Sequence, residues 1–197
     1  MKHNKKNLLI IGAGGLGRMT LDLVEKDYNC FFVDDGYDCG EMICDTKVVG
    51  RISDLDNLRR YFDNCIVTIG DNKIREQIVQ KCLLFGFNII SIISPNAFAS
   101  KWAKIGEGCV VMPYATIQNG STIGKGTILC SHVEIHHDSS VGDFCVIYPN
   151  TTIRTYVNVG NRVKCGSNVS VGNNCKVDDD SIIKDGLTIE EQYATIK

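Results

Sequence analysis

The sequence predicts a small doubly wound α/β domain followed by an all-β parallel β-helix. Two observations carry this. From Ile93 to Ala194 the chain repeats every six residues without an insertion, and fifteen of the seventeen blocks open with Ile, Leu or Val. Ahead of the repeats, apolar runs alternate with stretches of helical spacing, and the first run leads straight into Gly12-Ala13-Gly14-Gly15-Leu16-Gly17.

Residues 1–92 form the first expected domain. Asn7 to Ile11 is a short apolar run of the kind a buried parallel strand shows, and Leu16 to Glu25 carries Leu16, Met19, Leu23 and Val24 at helical spacing. Cys30 to Val33 is a second strand ending at Asp34-Asp35-Gly36, and Cys65 to Ile69 a third, followed by Gly70-Asp71-Asn72. A helix from Lys73 to Phe85 places Ile74, Ile78 and Cys82 on one face, with Asp71 or Asn72 as its cap. Phe87 to Ile92 is a last strand. Alternating strands and helices specify a parallel sheet.

Residues 93–197 form the second domain. A period of six is even, so the first and fifth places of each block fall on one face of a strand. The fifth place is small or β-branched, as at Ala115, Thr127, Ser139 and Cys145, and the second is often glycine, as at Gly106, Gly124, Gly142, Gly160, Gly166 and Gly172. Inward-facing first and fifth places, with glycine taking the corner, give short strands that stack into a β-helix in which each coil buries its neighbour.

Composition narrows the function. A formal net charge of −2 over 197 residues gives no support for nucleic-acid binding. The basic start, Met1 to Lys6, precedes an apolar run broken by four glycines and Arg18, so neither an export signal nor a membrane span is expected. Ten cysteines without an export signal suit a reducing, cytoplasmic compartment. Cys109, Cys145 and Cys175 fall at fifth places as packing residues, and Cys39 and Cys44 lack a second pair at zinc-site spacing.

The glycine loop after the first strand is a G-x-G-x-x-G in which backbone amides and a helix N-terminus can meet a diphosphate, and Asp34 stands where an acid binds a ribose hydroxyl. A dehydrogenase is the familiar reading, but some ninety residues hold only half of a two-part dinucleotide fold, enough for one mononucleotide. The alternative is that the glycines serve only a tight turn. Within the repeats lie His132, His136 and His137, and Asp138 adjoins His137 near a corner. A histidine oriented by a carboxylate suits general-base work. No metal site is expected of these residues, since neighbours on a strand point to opposite sides.

Together, the Gly-Ala-Gly-Gly-Leu-Gly loop, the Asp-Asp strand end, Gly70-Asp-Asn-Lys-Ile-Arg75 and Ile135-His-His-Asp-Ser-Ser-Val-Gly-Asp-Phe144 make the chain resemble the sialic-acid O-acetyltransferases and nucleotide-aminosugar N-acetyltransferases, within the hexapeptide-repeat acyltransferases. The resemblance implies a Rossmann-like nucleotide-sugar-binding domain (1–92), a left-handed β-helix acyltransferase domain (93–197) with three blocks per coil, and a homotrimer with sites between subunits. It implies His137 as the base that deprotonates the acceptor, Asp138 as its support, and direct attack on acetyl-CoA. It assigns the substrate to Gly12, Gly14, Gly15, Leu16, Asp34, Asp35 and Gly70, and acetyl-CoA to Val146, Gly166 and Ser167. Leu16 and Val146 stand where relatives often carry histidine, and the acidic tail lacks the usual Gly-x-Pro-Ala-Lys closing loop. The expected activity is acetyl transfer to a nucleotide-linked 4-amino sugar for surface-glycan synthesis. The alternatives are O-acetylation of sialic acid or a related sugar, and a non-catalytic trimeric binding protein.

Overall fold

The structure, a computed structural model, describes residues 5–190 as two compact units that divide after Ile92. Met1 to Asn4 of the basic start, and most of the last block and tail, lie outside the described residues.

The first unit is built on β1 (Lys6–Ile11), α1 (Gly15–Val24), β2 (Tyr28–Val33), β3 (Met42–Ile43), β4 (Thr46–Gly50), α2 (Leu55–Leu58), β5 (Asn64–Val67), α3 (Asn72–Leu84) and β6 (Asn88–Ile89). The sheet runs β3-β4-β2-β1-β5-β6, parallel except for the β3–β4 hairpin. Central β1 has Leu8, Leu9, Ile10 and Ile11 fully buried, each worth about 1.5–3 kcal/mol relative to exposure.

Both longer helices match the expected inner face only in part: Val24 of α1 and Ile78 and Cys82 of α3 are buried as expected, and other residues complete each face. In α1 the buried residues are Gly17, Thr20, Leu21 and Val24, while Met19 is exposed. A side chain at Gly17 would overlap the Gly12 carbonyl, so the helix lies closest to the loop where it carries no side chain. In α3 the inner face is Arg75, Ile78, Val79 and Cys82, and Ile74 is 47% exposed. Arg75 takes the aliphatic's place because its guanidinium donates to the Ile69 carbonyl (2.7 Å) and to Asn72 Oδ1 (2.9 Å). The Asp71 carboxylate caps α3 by accepting from the Ile74 amide at 2.9 Å. The β3–β4 hairpin is unforeseen in the sequence. It turns on Cys44 and Asp45, both at positive φ (47° and 56°), where Asn-Gly would be the recognisable pair.

The second unit is a β-helix with an 18-residue coil. Val110 pairs with Ile128 and Ile128 with Val146, Thr116 with Glu134, and Thr122 with Ser140. Three parallel sheets result, each made of two-residue strands at the junction of one block and the next. First-place and fifth-place side chains fill the interior, as with Ile117, Ile135 and Ile153 alongside Ala115, Val133 and Thr151. Many fifth-place groups also donate to second-place carbonyls one coil on: Thr127 to Gly142 (2.8 Å), Thr151 to Gly166 (2.6 Å), and the Cys145 thiol to Gly160 (3.1 Å). Small polar side chains there satisfy buried carbonyls that an aliphatic would leave to other donors.

The corners differ from expectation. Left-handed backbone occurs at the fourth place of the block, occupied by Tyr114, His132, Asp138, Phe144, Asn150, Tyr156, Arg162 and Asn168 as well as by glycine. The second-place glycines serve stacking instead. A Cβ at Gly142 would stand 2.5 Å from the Gly160 carbonyl oxygen, and one at Gly160 would stand 2.7 Å from the Asp179 amide nitrogen. Beside them runs a column of Asp143, Asn161 and Asp179, in which each side chain accepts the backbone N–H of the residue one coil earlier at 2.8–3.0 Å. The Asn161 backbone and side-chain N–H groups hold the Asp179 carboxyl below the usual carboxylate range.

Candidate active site

In the first unit the chain leaves β1 toward β2 and later returns to its other side as β5, so the switch point lies at the carboxyl ends of β1 and β5. Ligands of doubly wound sheets bind there. Gly12 (φ +105°) makes the turn, its amide donating to Val33 at 2.8 Å, and the buried Thr68 hydroxyl donates to the Ile11 and Gly12 carbonyls (3.1 and 2.9 Å). Gly12 and Gly17 are thus fixed by packing. Gly14 and Gly15 are not: no atom lies within 4 Å of where a Cβ would stand on either. Gly14 begins α1 without a side-chain cap, which leaves the first-turn N–H groups facing that open mouth, a favourable place for an anionic oxygen. Gly70 is exposed across from Leu16, whose Cδ1 would lie 3.7 Å from a Cβ on Gly70.

The two acids at the end of β2 brace the loops. Asp34 accepts from the Ala13 amide (2.7 Å) with one oxygen and from Gly36 (2.8 Å) with the other, while Asp35 accepts from Ile52 (2.8 Å). Asp34 therefore pins the glycine loop to the end of β2. Thr68 and Arg75, absent from the sequence-derived set, hold the same crevice from the β5 side. Their one sequence signal is position, at the end of a strand and in the first turn of the helix after it.

In the second unit, His137 and Asp138 meet. His137 Nδ1 lies 2.9 Å from Asp138 Oδ2, with both side chains about half exposed (50% and 49%). A carboxylate only accepts, so this contact assigns the proton to Nδ1 and leaves the Nε2 lone pair outward. Among the described residues Nε2 faces only the Thr155 hydroxyl, at a long 3.4 Å, and the Tyr156 ring packs edge-on against the imidazole (5.9 Å, 83°). The His137 amide donates to Gln118 Oε1 at 3.0 Å. The other two repeat histidines are engaged elsewhere: His136 beside Glu134 (3.4 Å), His132 stacked on Tyr114 (5.1 Å, 19°). Among the described residues no group of three or more His, Cys, Asp or Glu side chains stands ready for a metal.

The expected cofactor set is not assembled in the same way. Val146 is fully buried between Ile128 and Lys164 in its sheet, so it offers a cofactor no surface, which corrects its expected role. Gly166 is also buried and serves stacking, since a Cβ there would lie 2.6 Å from the Asp185 amide nitrogen. Ser167 is partly exposed, and its amide donates to Asp185 Oδ1 at 2.7 Å.

Comparison with known families gives two matches, one to each unit: the PglD N-terminal domain over residues 7–82, and the bacterial transferase hexapeptide repeat over residues 103–137. GDP-perosamine N-acetyltransferase of Escherichia coli O157:H7 is 28% identical to this chain over 158 residues, covering 75% of it and 70% of the relative. The acetyltransferase domain of PglB from Neisseria gonorrhoeae FA1090 is 28% identical with a TM-score of 0.89, over 94% of this chain and 92% of that one. The same domain has been solved in complex with acetyl coenzyme A. A histidine-to-alanine mutant of GDP-perosamine N-acetyl transferase from Caulobacter crescentus, in complex with CoA and GDP-perosamine, is 26% identical with a TM-score of 0.79, over 97% and 96% of the two chains. No helix among the described residues is long and apolar enough to cross a membrane.

Proposed function

We propose that this protein is an acetyl-CoA-dependent N-acetyltransferase of a nucleotide-linked amino sugar, in which His137 is the general base and transfer is direct. The observation that carries the base assignment is the His137–Asp138 pair: one ring nitrogen held at 2.9 Å, the other turned outward with a weak partner. The names and bound ligands of the relatives support the substrate class. In this reading the first unit takes the nucleotide at the Gly14–Gly15 mouth and the second unit, working as a homotrimer in the cytoplasm, carries the chemistry.

The amine nitrogen attacks the thioester carbon while Nε2 of His137 removes its proton. Asp138 stabilises the imidazolium that forms and keeps the ring in the competent tautomer. Collapse of the tetrahedral intermediate breaks the C–S bond, and His137 returns the proton to the departing CoA sulfur, leaving an amide and free CoA. No covalent acyl-enzyme is needed. Repeat cysteines such as Cys145 and Cys165 are buried, and burial pushes the Cys165 thiol up to about 12, so it is a poor nucleophile.

The test follows loss of the thioester with acetyl-CoA and a panel of GDP-, UDP- and dTDP-linked amino and hydroxy sugars. His137→Ala is expected to lower kcat roughly 10²–10⁴-fold with KM little changed. A variant as active as the parent would refute the base, and turnover of hydroxy sugars alone would reassign the protein to O-acetylation. Sedimentation at micromolar concentration checks the trimer.

A further inference from the structure

We propose that Gly120 is a positioning residue for the His137–Asp138 pair, its bare Cα being the space that lets the Asp138 carboxylate face the imidazole. The inference rests on the reading of that pair as the catalytic base. One coil separates residues 18 apart, so Gly120, Asp138, Tyr156 and Asn174 form one corner column. All four have positive φ (+74°, 59°, 59° and 61°), and three carry side chains, so the corner itself does not demand glycine. Nor does packing, because Gly120 is exposed.

What a side chain at 120 would meet is the Asp138 carboxylate. A Cβ built there overlaps Oδ1 and stands 3.2 Å from Cγ. The Asp138 backbone has no room to retreat, because its amide is hydrogen-bonded to the Asn119 carbonyl at 3.0 Å. The carboxylate must therefore rotate, and rotation withdraws Oδ2 from His137 Nδ1. Other left-handed glycines of the repeats differ. Gly126 makes room for the Phe144 ring, and Gly186 (φ +72°) has nothing within 4 Å. Gly186 therefore supplies the backbone strain of an alanine substitution without the displaced carboxylate.

The experiment uses the full chain and the variants Gly120→Ala, Gly186→Ala, Asp138→Asn and Gly120→Ala/Asp138→Asn. Steady-state acetyl transfer is measured across pH, and the His137 imidazole is titrated by NMR, its signal identified by its loss in His137→Ala. Gly120→Ala is expected to reduce kcat about tenfold or more with KM within about twofold, and to move the His137 midpoint in the same direction as Asp138→Asn. The double variant should be no slower than Asp138→Asn alone, since both changes remove one interaction. Gly186→Ala should stay within about twofold of the parent. The proposal is overturned if Gly120→Ala behaves like Gly186→Ala, if the two losses multiply in the double variant, or if the His137 titration is unmoved. Should the parent chain transfer no acetyl group at all, the functional reading fails, while the imidazole titrations still decide the role of Gly120.

Discussion

Replacing Gly142 by alanine tests whether the second-place glycines exist for stacking. The added methyl would stand 2.5 Å from the Gly160 carbonyl oxygen, 2.6 Å from its carbon and 2.7 Å from Asn161 Oδ1. Ordinary contact begins near 3.4 Å, so the coils would have to part by about 0.9 Å. They are held by ladder bonds such as Gly142 N to Val159 O at 2.9 Å, which at that displacement would no longer be hydrogen bonds. Overpacking costs about 1–3 kcal/mol and a lost ladder bond about 1 more, giving roughly 2–4 kcal/mol. With an m-value of about 2 kcal/mol/M, the urea midpoint of the repeat unit should fall by about 1–2 M. Gly186→Ala is the comparison: it has a left-handed backbone but empty surroundings, so only about 1–2 kcal/mol of conformational strain applies. If Gly142→Ala shifts the midpoint no further than Gly186→Ala, the stacking argument is wrong and second-place glycine has another cause.

Gly15→Val should raise the KM for the nucleotide sugar about tenfold or more with little change in kcat or melting temperature, because the site is open and only the ligand is displaced; isothermal calorimetry with the free nucleotide checks it. Asp34→Ala strips the Ala13 and Gly36 amides of their acceptor and should destabilise the first unit by about 1–3 kcal/mol, read from its denaturant midpoint. Alkylation of the native chain with iodoacetamide near pH 8, followed by peptide mapping, should mark the exposed Cys39 and Cys44 first and spare buried Cys130, whose thiol burial pushes up to about 11. The same burial sets an alkaline limit. Cys30, Cys130 and Cys165 are raised to about 11, 11 and 12 in the folded chain from an ordinary value of 9.0. The unfolded chain therefore releases these protons first, and the urea midpoint should fall as pH rises from about 9 toward 11 or 12.

The β-helix was legible because its signal is periodic: a six-residue frame exposes the interior places whatever fills the rest. Local backbone geometry was not, since the glycines drew attention to the second place while Asp138, Tyr156 and Arg162 carry the left-handed turns without them. In the first unit, the central parallel strands and the glycine loop could be read from apolar runs and glycines, but the β3–β4 hairpin and the complete helix faces could not. Apolar count favours Met19 and Ile74, whereas close approach at Gly17 and the hydrogen bonds of Arg75 decide which face turns inward. At the site, adjacency of His137 and Asp138 was visible, but contact needed geometry. Thr155, Tyr156 and Gly120 become visible only once residues are aligned 18 apart.

The 18-residue coil also sets the lengths by which this chain can change. Six residues inserted between Gly120 and His137 would keep every block in phase and every aliphatic inward, yet carry the histidine a third of a turn to another face, away from Gln118 and Gly120, while Thr155 and Tyr156 move with it. Eighteen would return it to its column with new neighbours beneath. Insertions in this half of the protein are thus sorted by arithmetic into those that break the fold, those that spare the fold and lose the site, and those that spare both.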